Sequence, residues 1–265
     1  MEQSAGRYLR PEHEKGTEEM MFKGIDTAAP ISEAAARKLK ELGYSFVGRY
    51  IVPAEGGTKW KALTQPEANI IRDAGLSILL CWETTATRAK AGVSAGAYDG
   101  TEAMKLAKAM NIPNETAICF AIDYDAPPSD WAKIEAYLRG ARWNIGDYKL
   151  GMYAPARVLN HFASIGVDGK PLIAYGWQCY AWSYGQRADV AAYQTAWQGD
   201  AAAKALEKQL GFAVDLDEAT TLEGMWNPKS AEEYALEWAK DITDDPKIAM
   251  ALWRYHFVYG KGESK

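Results

Sequence analysis

Short apolar runs of strand length alternate along this 265-residue chain with amphipathic stretches, and several of the runs stop at an acidic residue. Phe22-Lys23-Gly24-Ile25-Asp26, Leu76 to Glu83 and Ala117-Ile118-Cys119-Phe120-Ala121-Ile122-Asp123-Tyr124-Asp125 end in carboxylates, and Phe212 to Leu216 carries Asp215 near its end. Apolar runs bounded by turn residues read as strands buried on both faces, as in a parallel sheet. Between them lie helix signals: Ser32 before Glu33 to Leu42, and Thr64-Gln65-Pro66-Glu67, a capping box with proline in the first turn. Further strands are expected at Phe46 to Ile51, Leu150 to Tyr153, Tyr175 to Trp182 and Val190 to Thr195, and further helices at Thr101 to Met110, Ser129 to about Trp143 and Ala201 to Leu210. Strand and helix thus alternate about eight times, which predicts an α/β chain folded as a (β/α)8 TIM-type barrel.

Length allows one large α/β domain or two smaller ones. The expected division is a flexible leader over 1–21, the barrel over 22–226 and a C-terminal helical appendage over 227–265. That appendage reads as two amphipathic helices, Ser230 to Asp241 and Asp245 to Tyr259, ending in the aromatic stretch from Trp253 to Tyr259. The net charge of −5 gives no support for a nucleic-acid surface. No window reaches the length of a membrane span, and Met1 to Lys23 lacks the apolar segment of a Sec signal. Cys81, Cys119 and Cys179 lie inside apolar strand candidates, so buried thiols are expected rather than disulfides.

In a barrel of this kind the site forms at the C-terminal ends of the strands. Asp26, Glu83, Asp123, Asp125 and Asp215 all fall at or near such ends. If the fourth strand continued through Asp125, the pleat would aim Asp123 and Asp125 the same way, roughly 6.5–7 Å apart. Crowded acids raise one another's pKa, and glycoside hydrolysis requires one protonated and one charged carboxyl at the scissile bond. Trp177 and Trp182, on the most aromatic of the strands, offer flat surfaces on which a sugar can stack. Salt-bridged or turn-capping carboxylates, or an Mg²⁺ or Ca²⁺ site, are the competing readings of the same acids. No phosphate-binding loop accompanies them, and His13, His161 and His256 lack zinc-ligand spacing, so no metal and no cofactor is expected.

A set of motifs in order along residues 22–226 carries a resemblance: Phe22 to Asp26, Gly48-Arg49-Tyr50, Phe120 to Asp125, Gly151-Met152-Tyr153, Trp177 to Ser183, Tyr193-Gln194 and Val214-Asp215-Leu216. The chain resembles the glycoside-hydrolase-like domain of phage endolysins and some actinobacterial secreted proteins, which is similar to the family 25 lysozymes. The resemblance implies a muramidase acting on peptidoglycan, or a domain that binds its glycan without much activity. It implies that Asp26 and Asp215 frame the site, Asp123 orients or stabilises the sugar and Asp125 stands at the general-acid position, with Arg49, Tyr153 and Gln194 among the substrate-binding residues. Family 25 lysozymes carry Asp-x-Glu where this chain has Asp123-x-Asp125, so the acid is one methylene shorter and Glu83 is an alternative donor. The expected partner is bacterial cell-wall peptidoglycan, with no nucleic acid, no membrane insertion and a monomeric state. The expected location is the host cytoplasm before holin-mediated release.

Overall fold

Alternation along each strand decides which side chains meet inside this fold and which meet the helices. The structure is a computed structural model that describes residues 21–167, 169–188, 191–195, 201–228, 236, 239 and 242–254. Its main strands are β1 (Phe22–Asp26), β2 (Phe46–Tyr50), β3 (Ser77–Trp82), β4 (Ala117–Ala121), β5 (Lys149–Ala154), β8 (Tyr175–Gln178), β9 (Ala191–Thr195) and β10 (Asp215–Ala219). A short hairpin, β6 (Gly166–Val167) and β7 (Lys170–Pro171), precedes β8. The described helices are α1 (Glu33–Glu41), α2 (Gln65–Asp73), α3 (Val93–Ala109), α4 (Pro128–Asn144), α5 (Ala156–Ala163), α6 (Ala201–Leu210) and α7 (Pro246–Arg254).

The expected (β/α)8 TIM-type barrel is not what forms. The sheet curls in the order β1-β10-β9-β8-β5-β4-β3-β2, with β1 pairing β2 as well as β10, but it is mixed. β10 runs antiparallel to both of its neighbours, β9 and β1. The strand–helix alternation also lapses between β8 and β9, where the described residues 179–188 contain no helix. The β10 sequence, Asp-Leu-Asp-Glu-Ala, explains part of the difference: three of its five residues are acids, whereas strands of a fully parallel sheet read as continuous apolar runs. The strand expected over Tyr175 to Trp182 stops at Gln178, because Trp182 and Tyr184 adopt left-handed φ angles of 57° and 51° that no strand accommodates.

The helix starts follow the sequence signals. Ser32 accepts a hydrogen bond from the Ala35 amide, and Thr64 accepts one from Glu67. Outward-facing strand residues such as Ile25, Val47, Leu80, Trp82 and Phe120 bury against the helices. Inward-facing ones, including Phe46, Leu79, Cys81, Cys119 and Trp177, form a smaller core inside the ring. All three cysteines are free and buried.

Helix α3 begins eight residues before the expected Thr101, because Gly96 and Gly100 serve packing rather than termination. At Gly96 an added Cβ would collide with the Tyr137 carbonyl oxygen of α4. Of the C-terminal appendage, α7 and a small contact of Ala239 with Ala249 are described, while residues 1–20 and nearly all of 229–241 lie outside the described residues. Replacing Gly96 by alanine is expected to force α3 and α4 apart, lowering stability by about 1–3 kcal/mol as overpacking does. Urea unfolding measures it, and an unchanged midpoint would mean that the two helices do not depend on this close approach.

Candidate active site

Inward alternation carries one polar residue after another to the mouth at the C-terminal ends of the parallel strands. Asp26 ends β1, and Tyr50 ends β2. Cys81 and Glu83 come from β3 and the position just after it, Ala121 and Asp123 from β4 and its continuation. Tyr153 on β5, Trp177 on β8 and Asp215 on β10 complete the lining of one pocket of about 110 Å³. Four expected acids, Asp26, Glu83, Asp123 and Asp215, therefore share a cavity with Tyr153 and Trp177. Asp215 reaches this mouth from the opposite direction: antiparallel β10 begins there, with Asp215 opposite Asp26 in register.

Trp177 spans the interior from β8 toward β2, on the far side of the ring. Gly48 makes room for it, since a Cβ there would lie 2.8 Å from the indole and 2.7 Å from the Asp26 Cβ. The indole stands edge-on to Tyr153, centroids 5.1 Å apart, and donates from Nε1 to Asp217 Oδ1 at 3.2 Å. It is thus the floor of the pocket.

The acids are held in two different ways. Burial, then the charges of Asp217 and Asp215 and a side-chain hydrogen bond with Asp217, push Asp26 well above the usual carboxylate range. Asp26 nevertheless keeps accessible surface along the pocket. Burial, then the charge of Glu83, raises Asp123 as well, with Lys61 pulling the other way. Glu83 is in an ion pair with the buried Lys61, Nζ to Oε2 2.6 Å, and the same ammonium lies 4.3 Å from the Tyr50 ring centroid. Among the described residues no group of three or more His, Cys, Asp or Glu side chains is disposed to hold a metal ion.

Three of the expected site residues stand elsewhere. Asp125 is exposed at the rim, because β4 ends at Ala121 and the chain turns tightly, Ala126 N donating to Tyr124 O at 2.7 Å, ahead of Pro127-Pro128. Its carboxylate accepts from Arg157 Nη2 at 2.6 Å and from the Tyr184 hydroxyl at 3.0 Å. Arg49 is 1% exposed and points outward to α2, as it must when Gly48 and Tyr50 on either side point in. It bonds Glu67 at 2.7 and 3.2 Å and the Thr27 carbonyl at 2.6 Å, which is a structural ion pair and not a substrate contact. Trp182 is exposed on the loop after β8, beyond the pocket lining. Gln194 lies on β9, and its side chain is outside the described residues. Sequence reading passed over Lys61 and Asp217. The second was signalled by Asp215-Leu216-Asp217, whose spacing puts both acids on one face of a strand.

A family model described as "Rv2525c-like, glycoside hydrolase-like domain" matches residues 37–219. The chain belongs to this family. Among curated proteins, the uncharacterized protein FadG of Bacillus subtilis (strain 168) is 32% identical over 147 residues, covering 51% of this chain and 25% of FadG. YbfG of the same strain is 27% identical over 168 residues, 56% of this chain and 22% of YbfG. The chain thus spans about a quarter of the length of these relatives. Among solved structures, the Tat-secreted protein Rv2525c of Mycobacterium tuberculosis, in complex with L-tartrate, superposes with a TM-score of 0.63 at 21% identity, covering 77% of this chain and 98% of that one. An uncharacterized B. stearothermophilus protein gives a TM-score of 0.53 at 18% identity, covering 77% of this chain and all of that one. At these identities the likeness is one of fold. Rv2525c is exported, and this overturns the expectation of host-cytoplasmic accumulation with holin release. Nor does the family description carry a phage link.

The raised Asp26 has a measurable consequence. An acid protonated in the folded protein but ionised in the unfolded chain binds more protons when folded. Its contribution is full below the ordinary value of 3.8 and is lost as pH rises toward the higher folded value. Asp26→Asn mimics the protonated form, so it is expected to melt several degrees above the wild type at pH 7 and level with it near pH 4. Melting curves across pH 4–8 provide the check. A variant less stable than the wild type at every pH would mean that Asp26 is held as a carboxylate.

Proposed function

We propose that this domain hydrolyses the glycan of bacterial peptidoglycan as an N-acetylmuramidase, working outside the cytoplasm. The reading rests above all on one observation: four carboxyls converge on a single aromatic-walled pocket, and two of them are pushed toward the protonated form. Membership of a glycoside-hydrolase-like family supports a glycan as the substrate class. Export of the M. tuberculosis neighbour supports an extracytoplasmic setting.

In this reading Asp26 is the proton donor. Burial and the neighbouring Asp217 and Asp215 keep its proton in place until a glycosidic oxygen can take it. Asp123, whose rise is opposed by Lys61, is the carboxylate that stabilises positive charge at the sugar carbon or orients the substrate's own acetamido group against it. Lys61 neutralises Glu83, which otherwise would repel the charge that Asp123 must carry. Tyr153 and Trp177 exclude water and present flat faces to the ring.

A second reading, glycan binding without turnover, is favoured by Asp125. The residue at the general-acid position of family 25 lysozymes is here an aspartate tied to Arg157 and Tyr184. The two readings separate on purified sacculi. Wild-type protein is expected to generate new reducing ends, read by mass spectrometry, and Asp123→Asn is expected to lose about 10²–10⁴ of that rate with its circular dichroism unchanged. Sacculi that are bound by the wild type but never cut would move the conclusion to the binding reading. New free amines in place of reducing ends would sink both.

A further inference from the structure

The loop after β8 carries three large aromatic side chains in five residues, and all three face solvent: Tyr180 is 43%, Trp182 36% and Tyr184 75% exposed. Two of them, Trp182 and Tyr184, sit at left-handed φ angles of 57° and 51°. Bulky residues in that region cost of order 1–3 kcal/mol each and persist where the surroundings hold them. Ser183, between them, is that hold. It is buried, donates from Oγ to the Cys179 carbonyl at 2.6 Å and accepts from the Ala156 amide at 3.0 Å. Cys179 N is itself bonded to the Ala154 carbonyl at the end of β5. The loop is therefore a fixed platform in which strain is maintained for the sake of displaying rings.

The platform joins the acid pocket directly. Trp177, the pocket floor, lies two residues before Cys179, and Tyr184 donates to Asp125, which lies two residues past the pocket-lining Asp123. Asp125 has a geometry suited to hydroxyl groups. Arg157 and Tyr184 take one hydrogen bond on each oxygen, its side chain remains 40% exposed, and a carboxylate has about four acceptor directions.

We propose that Trp182 and Tyr184, with Asp125 held by Arg157, form a second sugar subsite for the residue adjoining the one over the acid pocket. The ligand class is an uncharged N-acetylated pyranose of a β-linked glycan, and this assignment rests on the glycan reading above. The apolar face of the ring stacks on the aromatics, and its hydroxyls bond the free lone pairs of Asp125. Asp125 is then a binding residue rather than the proton donor.

Chito-oligosaccharides of two to five sugars, titrated calorimetrically into the full chain, test this. Wild-type affinity is expected to rise with length between two and four sugars. Trp182→Ala and Tyr184→Ala are expected to lose that increment, roughly tenfold in Kd for the longer probes, while Trp143→Ala keeps it. Trp143 is exposed too, but it lies on the last turn of α4, at the opposite end of the parallel strands. Trp182→Gly guards against misfolding: glycine relieves the left-handed strain, so its melting temperature is expected to match or exceed the wild type while the increment is lost. Length dependence that survives in Trp182→Gly and Tyr184→Ala overturns the proposal, as does wild-type protein that binds none of the probes. Length-dependent binding by a wild type that cuts no sacculi would instead remove the hydrolase reading and leave the subsite standing.

Discussion

Carboxyl groups inside a ring of strands are tolerated when their charge is cancelled or never formed, since an unpaired buried ion costs several kcal/mol. This chain does both at one mouth. Glu83 is cancelled by Lys61, whose ammonium also rests on the Tyr50 ring. Asp26 is kept from ionising by its depth and by Asp217 and Asp215. Asp123 stands between these two regimes, pushed up by burial and by Glu83 and pulled down by Lys61. The pocket thus sets two raised acids beside one carboxylate paired with a lysine within one small volume.

Outside the ring, among the covering helices, the problem is solved differently. Arg49 is forked onto Glu67, which also accepts from the Ile31 amide, and Arg88 is forked onto Asp99, which also accepts from the Tyr137 hydroxyl at 2.7 Å. There each buried acid meets a guanidinium fork and a further hydrogen-bond donor. Inside the ring, Asp26 has burial and two acids around it, which push it toward the protonated form. The outer acids are thus each paired with an arginine, while the pocket sets one lysine-paired acid, Glu83, beside acids raised by burial and by one another.

Much of this could be read in the sequence, and the failures have local causes. The acids at strand ends were legible because an apolar run that stops at a carboxylate is conspicuous, and the pleat then fixes the face. Arg49 belongs to the motif Gly48-Arg49-Tyr50, but the alternation of these three residues sends its side chain outward, away from the pocket. Asp125 was misplaced because the strand was extended past Ala121, when Pro127-Pro128 forces a turn ahead of α4. Helix α3 reaches back past Thr101 through Gly96 and Gly100, which admit the backbone of α4, a role that no local sequence signal reveals. Lys61 carries no sequence signal at all: a lysine between β2 and α2 meets Glu83 at the pocket only once the chain has folded.

The reversal of β10 is the least legible feature and the one on which the acid pair depends. Had the last strand run parallel, an acid at its mouth end would have been followed, two residues on, by one projecting beyond the barrel into solvent. Running antiparallel, β10 starts at the mouth, so Asp215 stands opposite Asp26 and Asp217 lies one pleat deeper, opposite Gly24. In that place Asp217 is 2% exposed, is fixed by the Trp177 indole and reaches the Asp26 carboxyl. There its charge adds to the burial that raises Asp26 above the usual carboxylate range. The same departure that denies this fold an all-parallel barrel therefore brings up the two acids that raise Asp26, the residue on which the proposed chemistry depends.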